Sequence, residues 1–504
     1  MHRPSTPDTE AAFAEELSVV RPGLSAPYAA ALPGARAAVL TRLWRALAFE
    51  PLPWIARRET GRDGLTLALT DGRRVHGPFA DPYATSAYVT EVRLGERVYE
   101  RPDALVAALG VPHGPDFASE LAHSVASSAL SRAGRSASGD AVGPPGASWV
   151  WEQRIVDGHP YHPNCRSRPG FSVAEQLAYG PEHGPTVEMG LVPVDDALVT
   201  GDWPKWLRDG ERVLIPVHPW QSAHVLDAPV QEGFAARPLM SLRTLAVPDG
   251  PHVKTALSAR LTSSVRDISV YSVEAADTVS VFMEGMAARL DAPLHITRTL
   301  GAATAGSPDL AAVVRESPDE YAGTGERCVP VAALPLTGLP GKASWFAEFT
   351  RLVLTVGLRL LELGVALEAH GQNLLVILDR ADAPVRLVYR DLADIRVSPA
   401  RLARHGVPLP RLSGRIVTDD ETALRRKLFG SLVGGTLGAT AGSTAVLRAA
   451  LETVAPDLPH TADLPALLGE PLPAKALTLM RLSPGTPGDL WTRLPQPLAG
   501  PRSS

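Results

Sequence analysis

The sequence predicts an α+β chain in three successive parts, and three observations carry that prediction. Ala-, Leu- and Arg-rich segments with helical spacing fill residues 1–150, and short β-prone runs broken by turn residues follow over 151–320. Residues 321–504 open on a long amphipathic helix, then give an apolar hairpin and more helices. At 504 residues, 45% of them hydrophobic, the chain is long enough for more than one core.

In the first part, Ala35-Arg36-Ala37-Ala38-Val39-Leu40 through Ala46-Leu47-Ala48 reads as helix. A strand over Leu65-Thr66-Leu67-Ala68-Leu69 follows and stops at the Asp71-Gly72 turn. Residues 131–148, rich in Gly and Ser, mark a boundary. In the second part, Arg212-Val213-Leu214-Ile215-Pro216-Val217, Ser269-Val270-Tyr271-Ser272-Val273 and Thr278-Val279-Ser280-Val281-Phe282 read as strands of a mainly β domain. In the third, Ser344 is the expected N-cap of a helix whose Phe346, Phe349, Leu352, Val353, Val356, Leu360 and Leu361 share one face, with Gly364 as its stop. Strands over Leu374 to Leu378 and Val385 to Tyr389 flank an Asp/Arg turn, and helices with Gly and Ala between Gly430 and Ala450 complete an α-rich lobe.

Composition excludes whole classes of partner. A net charge of −5 gives no chain-wide attraction to nucleic acid or to an anionic membrane, so an anion site has to be a local basic cluster. No segment has the apolar length of a membrane span and the N-terminus lacks a signal-peptide core, so a cytoplasmic protein is expected. Cys165 and Cys328 are too few for a disulfide framework or a thiolate zinc site, which leaves oxygen as the donor for any metal.

After the long helix come a polar loop, Glu368-Ala369-His370-Gly371-Gln372-Asn373, the hairpin, and Arg390-Asp391. Kinase-like lobes use this order, with an Asn and an Asp at the two ends of a hairpin holding Mg²⁺ on nucleotide phosphates. A hairpin brings its outer ends together, so Asn373 and Asp391 are expected side by side. Taken singly, Asn373 caps a turn and Asp391 caps the next helix; the joint pattern favours the metal reading. Phosphates require cations, and the middle part supplies them: Ser241 and Arg243, two apart on a segment that reads as extended and therefore on one face, then Lys254, Thr262, Ser263 and Arg266. A Pro/Gly-fixed loop, 158–172, adds His159, His162, Arg166 and Arg168. A ligand role for His162 stands beside a packed-histidine reading, and metal binding by His159 with His162 lacks a third ligand at recognisable spacing.

In order, these segments resemble the signature blocks of the IucA/IucC family of NRPS-independent siderophore synthetases, of the aerobactin-synthetase type. The matching residues are the Gly-His-Pro-x-His-Pro…Arg-x-Gly-Phe-Ser loop (158–172), Val217-His218-Pro219-Trp220-Gln221, Ser241-Leu242-Arg243-Thr244, Lys254 with Leu261-Thr262-Ser263-Ser264-Val265-Arg266, Arg315-Glu316, 368–373, Arg390-Asp391, and Lys475-Ala476-Leu477…Met480-Arg481-Leu482. The resemblance implies a hand-like architecture: a mostly helical thumb (1–150), β-rich fingers (151–320) and a kinase-like α/β palm (321–504). ATP is then expected between fingers and palm, with His162, Ser241, Arg243, Lys254, Thr262 and Arg266 around its phosphates, Ser263 beside them, and Mg²⁺ on Asn373 and Asp391. Thr262, Arg266, Arg315, His370 and Lys475 would meet the carboxylates of a citrate-like acid, with His370, Arg266 and Lys254 in catalytic roles and either His370 or Glu368 taking the amine proton.

The implied activity is that of an acid–amine ligase, a homodimer, which adenylates a di- or tricarboxylic acid and condenses it with an amine or hydroxyl, releasing AMP and pyrophosphate. The His218 block reads as structural. Two departures stand out: Arg166 occupies a place where the family has Lys, and the chain is shorter than typical members. Citrate, a citrate monoamide, 2-oxoglutarate and a succinyl hydroxamate remain open as the acid. A small-molecule kinase also fits the palm pattern, although Glu368 stands where its catalytic Asp would be. A ligase outside siderophore metabolism and a non-catalytic iron- or siderophore-binding protein are the other readings, and the cation cluster speaks against the last.

Overall fold

The computed structural model describes residues 8–138, 146–261, 264–290 and 292–499. Helices Thr9–Val20, Ser25–Phe49, Pro102–Leu109 and Gly114–Ser138 pack on one core that includes Tyr28, Trp44 and Phe117, beside a five-stranded antiparallel sheet running from Ile55–Thr60 to Arg97–Tyr99. Ala and Leu, strong helix formers, dominate Ser25–Phe49. That helix is buried without a break from Ala37 to Ala48, because the Gly114–Ser138 helix lies on one side and the Trp491–Leu494 strand touches it on another. The strand Leu65–Leu69 stands where expected. The 131–148 boundary needs correcting at its start: the helix runs on through Ser138, and buried Ser131 donates to Glu182 Oε1 at 2.9 Å, so Ser131 packs against a partner and is not linker. Residues 139–145 lie outside the described set.

The middle part centres on a nine-stranded antiparallel sheet. Its order is Leu198–Gly201, Thr299–Ser307, Leu310–Arg315, His252–Thr255, Thr244–Ala246, Gln231–Pro238, Val187–Val194, Arg212–Val217 and Arg208–Asp209. Arg212–Val217 is a strand as expected, whereas 269–273 and 278–282 are helical, in Val270–Glu274 and Ala276–Arg289. Ser269 caps the first by accepting from Ser272 N at 3.2 Å, and Val279, Met283, Met286 and Leu290 repeat at helical spacing on the buried face. Burial at that period overrides the β preference of the Val and Thr residues.

In the last part, Pro384–Tyr389, Leu374–Leu378 and Arg327–Pro330 form a sheet that Leu294–Ile296, from the middle part, joins in parallel as a fourth strand. All five residues of Leu374–Leu378 are buried, each apolar side chain contributing about 1.5–3 kcal/mol, and the helix Ala343–Leu363 covers the sheet. That helix begins one residue before Ser344, at Ala343, with Lys342 at the N-cap and no side-chain cap bond; Gly364 ends it at φ 108°. Helices Glu421–Phe429, Gly438–Ala441 and Thr444–Val454 enclose a π-helical stretch, Gly430–Leu437, against which the hairpin Leu472–Lys475/Trp491–Leu494 packs. The approach requires glycine: a Cβ on Gly430 would meet the Trp491 ring at 2.8 Å. No helix among the described residues is long and apolar enough to cross a membrane.

Candidate active site

A cleft of about 1060 Å³ opens where the nine-stranded sheet, the four-stranded sheet and the π-helical stretch meet. Every described member of the candidate set lines it: His162, Ser241, Arg243, Lys254, Arg266, Arg315, His370, Asn373, Asp391 and Lys475. Thr262 and Ser263 lie outside the described residues.

The sheet side is cationic. Lys254, on His252–Thr255, and Arg315, on Leu310–Arg315, come from neighbouring strands. Arg315 is 6% exposed and its Nε has no hydrogen-bond partner. A buried, unanswered guanidinium is costly without an anion, and burial draws it down to about 10 although Asp391 opposes this. Arg266 makes no side-chain hydrogen bond or ion pair among the described residues and faces the same space. Arg243 donates Nη1 to the carbonyls of Arg266 and Asp267, both at 2.6 Å, which fixes the Ser264–Arg266 strand beside it. Ser241 and Arg243 share the cleft by another route than the expected one. Residues 241–243 form a turn in which Leu242 takes φ 63°, so the extended-segment argument fails. Leu242 is buried with Phe171, Trp220 and Leu257, and that packing holds the turn.

The opposite wall carries the acids. The hairpin pairs Leu374 with Tyr389, and Arg390 N donates to Asn373 O at 3.0 Å, so Asn373 and Asp391 reach the cleft from its two ends. Asn373 spends its amide nitrogen on Glu368 O at 3.2 Å, which leaves its carbonyl oxygen free to accept. Asp391 sits at φ 71°, a rare backbone for a non-glycine residue, and makes no cap bond to the short turn Leu392–Asp394, so the helix-cap reading does not hold. Its carboxylate takes both Lys254 contacts, at 2.7 and 2.8 Å. Burial alone would raise the Asp391 carboxyl; Lys254, Arg315 and Arg243 hold it far below the usual range. No cluster of three or more His, Cys, Asp or Glu side chains suited to a metal occurs among the described residues. A cation already carried by phosphates needs only the one or two oxygen donors that Asp391 and Asn373 supply.

Glu368 pairs with Lys475 at 3.0 Å and Lys427 at 3.4 Å; burial opposes its charge, but Lys475, His370 and Lys427 bring it to about 2, so it is a poor base at neutral pH. Lys475 also meets Asp489 at 3.2 Å. Burial lowers His370 and keeps it neutral, and its Nδ1 accepts from Gln372 N at 3.3 Å, which assigns the ring proton to Nε2 and makes the side chain a donor. His162 is 3% exposed with both ring nitrogens unpartnered, and burial holds it well below 6.5.

Other signature residues build the walls. Arg166 and Arg168 both bind buried Glu182, at 3.0 and 2.8 Å, so the Arg that replaces Lys here is a structural cation. Phe171 stacks on Trp220 at 4.9 Å, Trp220 Nε1 donates to Gly170 O, and His218 Nδ1 accepts from Trp220 N at 3.1 Å: the His218 block is structural, as expected. Sequence reasoning missed Lys427 and also Glu152, which pairs with Arg390 at 2.6 Å and accepts from Met240 N at 3.0 Å, tying the hairpin end to the Ser241 turn. Their partners are remote in sequence, so only the wholly buried charges themselves could have signalled them.

Comparison with known proteins gives two family matches, the IucA / IucC family over residues 148–335 and the ferric iron reductase FhuF-like transporter family over 343–488, a segment without cysteine. A citryl-spermidine/3,4-dihydroxybenzoyl-citryl-spermidine:spermidine ligase of Bacillus anthracis is 25% identical over 309 residues, 48% of this chain and 50% of that protein; the chain thus spans about half the length of this relative. Among solved structures, the petrobactin biosynthesis protein AsbB of Bacillus anthracis superposes with TM-score 0.75 at 18% identity, covering 94% of this chain and 98% of that one. ATP-bound aerobactin synthetase IucA of Klebsiella pneumoniae gives 0.65 at 19% identity, covering 92% and 99%. At these identities the superpositions establish a common fold.

Proposed function

We propose, for a chain that belongs to the IucA/IucC family, that it is an ATP- and Mg²⁺-dependent ligase of siderophore biosynthesis joining a citrate-like carboxylic acid to an amine or hydroxyl. The observation that carries this reading is the cleft in which cations without carboxylate partners, Arg315 and Arg266, face Asp391 and Asn373. The name of the Bacillus relative, a citryl-spermidine:spermidine ligase, supports the same class of chemistry. In this reading the helical N-terminal part is the thumb, the nine-stranded sheet the fingers, and the C-terminal part the palm.

A carboxylate resists attack because its charge repels nucleophiles and its oxygen leaves badly. Transfer of AMP to one oxygen, with loss of pyrophosphate, removes both obstacles. Arg243, Lys254, Arg266 and His162 orient the triphosphate and offset the charge that gathers on it. Asp391 and the Asn373 carbonyl would hold Mg²⁺, which would neutralise phosphate charge when bound. Arg315, Lys475 and the Nε2–H of His370 fix the acid. The amine then attacks the acyl carbon, AMP leaves with the bonding pair, and the amine proton passes to water, since neither His370 in this tautomer nor Glu368 at about 2 is a ready base.

Pyrophosphate–ATP exchange with a panel of di- and tricarboxylic acids tests the reading. Acid-dependent exchange, with AMP and pyrophosphate formed once an amine is added, is the expected result. ADP formation would instead identify a kinase, and acid-independent behaviour would remove the ligase.

A further inference from the structure

The Ser25–Phe49 helix carries two arginines that the reaction above does not use. Arg42 and Arg45 stand one turn apart on one face and are 7% and 4% exposed. Guanidinium groups so deeply buried ordinarily pair with carboxylates. Neither makes an ion pair among the described residues. Arg42 donates Nε to Pro160 O at 3.1 Å and Nη2 to Asp157 O at 2.9 Å, while its Nη1 is buried without a partner. Arg45 donates Nε to Pro82 O at 2.6 Å and lies over the Tyr161 ring, 4.1 Å from its centroid.

Both face a recess of about 40 Å³ shared with Thr41, Thr85 and Ser86. One water needs about 10–15 Å³ by this measure, so the recess holds roughly three water-sized positions, the span of a carboxylate group. Asp157, on its rim, is already paired with Arg132 at 2.7 Å. The recess opens onto the main cleft along Arg42, Arg45, Thr85 and Pro160. There His159 lies within electrostatic reach of Arg42 and Arg45 and also of His370 and Lys475. His159, His370 and Lys475 line the same cleft as Arg42 and Arg45.

We infer that Arg42 and Arg45 form a second carboxylate subsite, and that its ligand is the carboxylate of the amine substrate, so that the nucleophile is an amino acid and not a plain polyamine. The inference rests on the ligase reading. The acid has its own cations elsewhere in the cleft, and a second carboxylate anchored at Arg42 and Arg45 leaves an attached amine facing that shared cleft. The bond changes stay those already given: the amine lone pair forms the C–N bond, the acyl–oxygen bond breaks with its pair leaving on AMP, and the proton goes to water.

Calorimetric binding to the full chain, without ATP or acid, tests it with matched pairs: 2,3-diaminopropionate against 1,2-diaminoethane, ornithine against putrescine, lysine against cadaverine. At least one amino acid is expected to bind tenfold or more tightly than its decarboxylated partner. Arg42→Gln and Arg45→Gln should each bring that pair towards parity, with Arg42→Lys retaining part of the preference. Parity for every pair in the wild type, or a preference that survives both substitutions, overturns the inference. So does competition for the recess by dicarboxylic acids that carry no amine, which would assign it to the tail of the acid. If a variant does not fold, the wild-type pairs and the other variant still decide. Pyrophosphate exchange on the wild type separates the two readings: no exchange with any acid, alongside a preserved amino-acid preference, removes the ligase and keeps the subsite.

Discussion

Lys254 Nζ lies 2.7 and 2.8 Å from the two carboxylate oxygens of Asp391, and this pair joins the nine-stranded sheet to the four-stranded sheet across the cleft. Its members come from parts of the chain 137 positions apart. A phosphate chain entering the cleft offers Lys254 a new partner, and a cation offers Asp391 one. In the proposed function the ion pair would keep both charges satisfied until such ligands arrive.

Burial draws Lys254 down from 10.5 to about 8, with Arg243 and Arg315 adding to the shift and Asp391 opposing it. The cation is therefore complete below about pH 7 and lost as pH rises through 8. The kcat/KM for ATP, followed by pyrophosphate release, should fall about tenfold per pH unit above that point. Lys254→Arg should move the falling limb beyond the measurable range, because a guanidinium stays charged. A wild-type profile that stays flat to pH 9.5 would separate Lys254 from ATP.

Arg315 should trade stability for function. Its buried Nε has no hydrogen-bond partner and Asp391 keeps Lys254 as its ion-pair partner, so Arg315→Met removes a poorly solvated charge and is expected to leave the melting temperature unchanged or higher. The same substitution should raise KM for the carboxylic acid about 30- to 150-fold, the loss of about 2–3 kcal/mol from a charge-assisted contact. A variant that melts lower and keeps a normal KM would mean that Arg315 serves the fold alone.

Glu182 should behave in the opposite way. Its carboxylate is buried between Arg166 and Arg168, so Glu182→Gln strands two guanidinium groups and should cost about 3–5 kcal/mol in denaturant unfolding at pH 7. Burial would raise its pKa, but the two arginines hold it well below 4.5. A depressed folded-state pKa contributes stability that is present above the unfolded value and lost as pH falls through the folded one. The gap between wild type and Glu182→Gln should accordingly be full above pH 5 and narrow in stronger acid; a gap independent of pH would assign the cost to packing.

The hairpin and the meeting of its two ends at Asn373 and Asp391 were legible because a five-residue apolar run followed by a turn has one economical solution, and its outer ends then meet wherever the strands lie. Arg243, Lys254 and Arg266 were legible as a group, since clustered cations in an acidic chain imply an anion, whereas Arg315 entered only through the family resemblance. The helices over 270–289 were not: Val, Thr and Tyr resemble strand residues until the buried face at Val279, Met283 and Met286 is known. Nor was the turn at Leu242, whose positive φ is imposed by Phe171 and Trp220 from distant segments. Arg42 and Arg45 carried no signal in the sequence, because nothing local records that the 155–166 loop covers them.

Asp391→Asn tests the metal assignment with little disturbance of the backbone. Position 391 has φ 71°, and Asn is among the few residues that accept this left-handed region readily, so the chain should fold as before. The substitution does remove the counter-charge of Lys254, and the free ammonium, still beside Arg243 and Arg315, should lose protons at lower pH than in the wild type. With Asp391 and Asn373 as donors, an amide in place of the carboxylate is a weaker ligand for a hard cation. Turnover should fall steeply at low Mg²⁺, the Mg²⁺ concentration for half-maximal rate should rise at least tenfold, and part of the rate should return at saturating metal. Recovery should be greater near pH 6.5 than at pH 8, where Lys254 is neutral. A decline with unaltered Mg²⁺ dependence would leave Asp391 as the partner of Lys254 and nothing more, and would move the metal to other donors.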